Sequence, residues 1–277
     1  MITGTAAGVP FVALPPDGRP RPSAPTVVGW HLLDPPRTEA AFAAALPLTG
    51  LDAWRIYLGL PLSGSRMPVG GAEELMRLGY EDAVMNLHGP ISAQAAGEFE
   101  PALVELRERF DVGSAPVAVM GGSIGAAVAL LVLAESRVEI DAAVLVSPLV
   151  RLKSAVEAME RRFDVTYPWS DASRAVARRL DFVARAEEIV NRQHDPAVLL
   201  VVGEDDDVTG FREPASKLRE ALAQRLADPE RVELVLIPGM EHALAEEPGI
   251  EPAPQTAPAA EVDRHAVRWL RRHLRAG

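Results

Sequence analysis

A chain of 277 residues, 48% of them hydrophobic, is long enough for one large core, and its net charge of −11 argues against a polyanionic partner such as a nucleic acid. With no cysteine it has no disulfide framework, thiolate nucleophile or cysteine metal site. The first twenty residues lack a basic start and a continuous apolar run, so the sequence predicts no signal peptide and a cytoplasmic, single-domain protein over 1–277.

Residues 8–14, GVPFVAL, read as the first strand, and PPDGRPRPSAP after it as an exposed, turn-rich connection. Residues 26–30 form a short apolar strand and 31–36 a loop, with Thr38 placed to cap a helix from Glu39. His31, at a strand end, reads as a packed or hydrogen-bonded spacer. The next strand is 53–58. From 59 to 93 the chain is rich in Gly and Pro and reads as a long irregular loop with one short helical piece over 73–78, in which His88 is expected to be solvated. An apolar face at helical spacing (Phe99, Leu103, Leu106, Phe110) predicts a helix over 93–110.

Residues 114–134, SAPVAVMGGSIGAAVALLVLA, organise the rest of the chain. A β-branched run turns through Gly121-Gly122-Ser123-Ile124-Gly125 into an Ala- and Leu-rich helix. G-x-S-x-G between strand and helix is the nucleophile elbow, in which a strained turn pushes the serine hydroxyl out of the backbone. Gly121 and Gly125 flank the turn where a Cβ would strike its neighbours. The N–H of Ile124, at the start of the helix, is available to an oxyanion. The stretch carries no charge, so hydropathy alone would also allow a membrane span, but residues 121–123 make a poor helix centre.

Another apolar strand follows at 140–146. Residues 150–195 are charged and helical in pattern and hold Phe163, Tyr167, Trp169 and Phe182. Such an insertion suits either a helical cap over a site or helices packed on the sheet. The strand 197–202 runs into Glu204-Asp205-Asp206-Asp207, a helix over 213–226 follows, and the strand 232–237 runs into Pro238-Gly239-Met240-Glu241-His242. After a loop over 245–260, a final helix from Glu261 to Leu274 carries Arg264, Arg268, Arg271, Arg272, Arg275, His265 and His273 on a solvated face. Asp205-x-Asp207-x-Thr209-Gly210 is similar to the start of a calcium loop, but Ser216 stands where that loop needs a bidentate glutamate.

Alternating apolar strands and helices predict a mainly parallel sheet covered on both faces, with ligands bound at the carboxyl ends of its strands. Ser123, the acidic cluster and His242 each follow a predicted strand, so all three are expected on one edge, in the order Ser, Asp, His. On these residues the chain resembles the α/β-hydrolases over nearly its whole length, from about residue 8 to 274. From the elbow onward, through Ser147-Pro148-Leu149 and Gly203-Glu204-Asp205-Asp206, it is most similar to their dienelactone-hydrolase and prolyl-oligopeptidase-like branches.

The resemblance implies the α/β-hydrolase fold, a mostly parallel sheet flanked by helices with a cap-like insertion, and a carboxylesterase-like serine hydrolase. Ser123 would be the nucleophile and His242 the base, and the family spacing after Gly203 favours Asp206 as the acid, with Asp205 next. The oxyanion amides would come from Ile124 and from Leu32 or its neighbour. Many relatives have His-Gly-Gly where this chain has His31-Leu32-Leu33. The implied substrate is a small to medium acyl ester, thioester or amide, with no cofactor, metal, nucleic acid or membrane partner. A ligand-binding module without turnover, or acyl transfer to an acceptor other than water, fits the same residues. A histidine base also implies activity that falls as pH drops through about 6.5.

Overall fold

The computed structural model describes residues 1–17, 22–190 and 195–274; Arg275 of the expected final helix lies outside them. At the amino end β1 (Ile2–Ala6) and β2 (Val9–Leu14) pair antiparallel, with Ile2 opposite Ala13 and Ala6 opposite Val9. The sequence predicts only the second. β1, ITGTA, is exposed over all but its last residue, so it has no apolar face for a pattern to reveal. β3 (Thr26–Trp30), α1 (Glu39–Ala45) and β4 (Trp54–Leu58) follow the expected order. The Thr38 hydroxyl caps α1 by accepting the Ala41 N–H at 3.1 Å.

The segment 59–93, expected as an irregular loop, is mostly helical. α2 (Gly71–Asp82) is entered through Gly70 and Gly71, at φ 106° and 63°, then a π-helical turn spans Ala83–His88, and α3 (Gly89–Arg109) continues from it with Pro90 in its first turn. The glycines and proline that read as breakers act as helix starts. Gly70 and Gly71 take a left-handed backbone that turns the chain into α2, and the first turn of α3 tolerates the N–H that proline lacks.

β5 (Val117–Gly122) passes through Ser123 into α4 (Ile124–Glu135), and β6 (Ala142–Val146) follows. Among the described residues the insertion holds α5 (Leu152–Phe163), α6 (Asp171–Arg179) and α7 (Ala186–Val190). The chain closes with β7 (Ala197–Gly203), a π-helical turn at Val208–Arg212, α8 (Glu213–Ala223), β8 (Val232–Ile237) and α9 (Ala257–His273). α9 starts at Ala257, earlier than the expected Glu261, because the Thr256 hydroxyl caps it and Pro258 fits its first turn. On its outer side Arg264, Arg268, Arg271 and Arg272 are exposed as expected. His265 and His273 are instead half-buried, with the His273 ring 4.3 Å from that of Trp269.

The eight strands of the described residues form one sheet in the order β1-β2-β4-β3-β5-β6-β7-β8, antiparallel in its first two pairings and parallel from β4 to β8. The period of two along a strand feeds two cores. Val117 and Val119 face the layer of α3 and α4, while Ala118 and Met120 face that of α1 and α9. α4 is buried from Ile124 to Ala134, which accounts for its unbroken apolar composition. Among the described residues no helix is long and apolar enough to cross a membrane.

Candidate active site

Because β5 to β8 are parallel, the segments that leave them emerge on one edge of the sheet. Ser123 sits at the first of these exits, at φ 49° and ψ −114°, a conformation that L-residues seldom adopt. Its N–H donates to the Val146 carbonyl at 2.9 Å, and its own carbonyl accepts the Leu149 N–H at 3.2 Å. A Cβ on Gly121 would lie 2.1 Å from the Gly125 carbonyl oxygen, and one on Gly125 would lie 2.3 Å from that of Trp30. The two glycines therefore let α4 start directly against the strand and against the loop after β3.

The loops after β7 and β8 are joined by backbone. Glu204 N–H donates to the Ile237 carbonyl and Asp205 N–H to that of Met240, both at 3.0 Å. Their approach depends on Gly203, where a Cβ would come within 1.9 Å of the Met240 carbonyl oxygen. Gly203→Ala is expected to destabilise the protein by about 2 kcal/mol or more through this overlap. A thermal melt would register that as a fall in Tm of several degrees.

This edge brings Ser123, Asp206 and His242 together. His242 Nε2 lies 2.9 Å from Ser123 Oγ, and His242 Nδ1 lies 2.9 Å from Asp206 Oδ2. The Asp206 side chain is 2% exposed, and its other oxygen accepts the Asp207 N–H at 2.8 Å. With an Nδ1–H facing the carboxylate, Nε2 is left as an acceptor for the serine proton. Burial opposes charge on His242, but the hydrogen bond it donates to Asp206 and the charges of Asp206 and Asp34 outweigh it and hold its pKa above 6.5. The other acids of the cluster are exposed. Asp207 is occupied in capping the Val208–Arg212 turn, where its Oδ1 accepts the Gly210 N–H at 2.6 Å. Among the described residues no cluster of His, Asp or Glu is placed to hold a metal ion.

The loop after β3 reaches the same place. The Leu32 side chain packs on Gly122, where a Cβ would lie 2.2 Å from Leu32 Cδ1. The Leu32 amide, expected to serve an oxyanion, donates to the Pro36 carbonyl at 3.3 Å, because the loop turns back on itself there. Its neighbour Leu33 has an N–H with no acceptor among the described residues. His31 is fully buried as a spacer: its Nδ1–H donates to the Leu32 carbonyl at 2.6 Å and its Nε2 accepts the Leu60 N–H at 3.2 Å. Burial pushes its pKa down to about 4.

His88, expected in solvent, is half-buried in the Ala83–His88 turn, and its Nδ1 is inaccessible and without a hydrogen-bond partner. Burial pushes its pKa down to about 4 against the raising effect of the Asp34 charge. Two residues that the sequence reading did not single out also border the site. Asp34 Oδ2 lies 3.8 Å from His242 Nε2, and the Phe211 ring lies 4.1 Å from the His242 ring, centroid to centroid. Each follows a strand-end loop that already held a candidate, which is the signal that could have found them. Around them α5 lies against the Val208–Arg212 turn and α6 against the Ala83–His88 turn. The Tyr167 hydroxyl, between those helices, donates to Asp82.

Residues 95–276 match the sequence model of the prolyl oligopeptidase family, well over half of the chain. No curated protein sequence matches. Among solved structures, TT1662 of Thermus thermophilus aligns over 100% of both chains with a TM-score of 0.62 and 18% identity. A dienelactone hydrolase of Anabaena variabilis aligns over 99% of this chain and 97% of its own, with a TM-score of 0.55 and 16% identity. A puromycin-hydrolyzing peptidase of Mycobacterium tuberculosis covers 97% of this chain with a TM-score of 0.63 and 16% identity, but only 38% of its own length takes part. At such identities the likeness is one of fold, and the fold is that of the α/β-hydrolases.

Proposed function

Since the chain belongs to the prolyl oligopeptidase family and is thereby a serine hydrolase, we propose that it cleaves an ester, thioester or amide of a small to medium acyl substrate through Ser123, His242 and Asp206. The observation that carries this reading is the continuous hydrogen-bonded line from Ser123 Oγ through both His242 nitrogens to Asp206, at 2.9 Å in each link.

In this mechanism His242 Nε2 takes the proton as Ser123 Oγ attacks the substrate carbonyl carbon, since a neutral hydroxyl is a weak nucleophile by itself. Asp206 keeps the Nδ1–H tautomer and stabilises the imidazolium that forms. The oxyanion is received by the N–H groups of Ile124, in the first turn of α4, and of Leu33 in place of the engaged Leu32 amide. Collapse of the tetrahedral intermediate breaks the bond to the leaving group, which takes the proton from Nε2. Water then repeats the sequence on the acyl-enzyme. α2, α5 and α6, with the turns they contact, would form the cap beside the site.

The test is labelling with a fluorophosphonate probe followed by peptide mass mapping. A single adduct on Ser123 is expected. Folded protein that takes up no probe, or takes it up on another serine, contradicts the reading.

A further inference from the structure

Asp34 is an acid in a place where the reaction does not call for one. Its Oδ2 lies 3.8 Å from His242 Nε2, the nitrogen that also faces Ser123 Oγ, and its side chain is 55% exposed. Among the described residues no Lys or Arg lies within ion-pair distance of it. Arg37, three residues on, is held elsewhere. Its guanidinium grips both oxygens of Glu247 at 2.6 and 3.0 Å and donates to the carbonyls of Leu33 and Pro248. His88 senses the Asp34 charge, but burial keeps its ring neutral near pH 7, so it supplies no counter-charge.

An uncompensated carboxylate beside the reacting atoms has opposed effects. It favours the imidazolium and disfavours the oxyanion, and the second effect is a cost that a positive charge on the substrate removes. The side on which that charge belongs follows from the position of Asp34. His242 Nε2 delivers the proton to the departing atom, so a group beside Nε2 borders the leaving group. The Phe211 ring next to the imidazole adds an aromatic surface of the kind that binds alkylammonium groups. We propose that Asp34 is a specificity-determining residue that selects substrates whose leaving group carries a cationic centre. This inference rests on the serine-hydrolase mechanism above.

The experiment compares butyrylthiocholine with 3,3-dimethylbutyl thiobutyrate, a neutral ester of the same shape. Thiol release can be followed with a disulfide reagent because the protein has no cysteine. The wild type is expected to favour the cationic thioester by about tenfold in kcat/KM, and Asp34→Asn to bring the ratio towards one. The ratio compares two substrates on the same protein, so a general loss of activity in the variant does not imitate the effect. If that variant is inactive or unfolded, salt decides on the wild type, where the preference must fall as ionic strength rises. A wild-type ratio near one, a ratio unchanged in Asp34→Asn, or a preference indifferent to salt overturns the inference. An adduct on Ser123 with such a ratio, or with no turnover of the cationic thioester, leaves the serine-hydrolase mechanism standing. Absence of both adduct and turnover overturns the two together.

Discussion

Ser123→Ala and His242→Ala are each expected to lower kcat by roughly a millionfold on an ester that the wild type cleaves, and the double variant to lose hardly more. The reason lies in the shared proton. Ser123 Oγ and His242 Nε2 are 2.9 Å apart, and the one is a useful nucleophile only while the other accepts its hydrogen. Removing either abolishes the same step, so their contributions cannot add. What would remain in all three variants is the proposed oxyanion pocket at Ile124 and Leu33, acting on a water molecule instead of a serine. Steady-state kcat values for the two single variants and the double variant check this. A double variant slower than either single one by another factor of several hundred would mean that the two residues act independently, which is incompatible with base-assisted attack.

The residues proposed to carry this chemistry, which the fold brings within hydrogen-bond distance of one another, were legible in the sequence because each is tied to a local rule. Ser123 lies between glycines that have no room for a Cβ, and Asp206 and His242 follow apolar runs of strand length. Where the reading failed, the local signals pointed elsewhere. Gly70, Gly71, Gly89 and Pro90 read as loop, yet they initiate α2 and α3, whose packing with α6 around the Ala83–His88 turn is tertiary information that local composition does not carry. β1 is an exposed edge strand whose Thr and Gly residues give no periodicity. His88 looked solvated because its segment looked like a loop. The Leu32 amide turned to Pro36 depends on the path of a loop, which neither composition nor spacing encodes. Asp34 and Phe211 become neighbours of His242 only when three separate strand ends meet, and their place by loops that already held candidates is the one local signal they carry.

Asp206→Asn is expected to lower kcat by about 10⁴-fold with little change in the fold, a larger effect than its distance from the reacting carbon suggests. The Asp206 side chain is buried and of nearly the same size as asparagine, so the packing survives. What changes is the tautomer. An asparagine amide can donate to Nδ1, which moves the imidazole proton to Nε2 and leaves Ser123 facing a donor where it needs an acceptor. The pH profile separates this from a general loss of activity. In the wild type the hydrogen bond and charge of Asp206, with the charge of Asp34, overcome the effect of burial and hold the His242 pKa above 6.5. The acid limb of kcat/KM therefore falls as pH drops through a value above 6.5, higher than the sequence alone suggests. Without Asp206 burial prevails, and the limb of the residual activity moves to lower pH. Asp205→Asn, which alters an exposed carboxylate of the same cluster, is expected to keep both the rate and the limb of the wild type. If Asp205→Asn produced the 10⁴-fold loss and Asp206→Asn did not, the acid would be Asp205, and the 2.9 Å contact between Asp206 and His242 would be a packing contact.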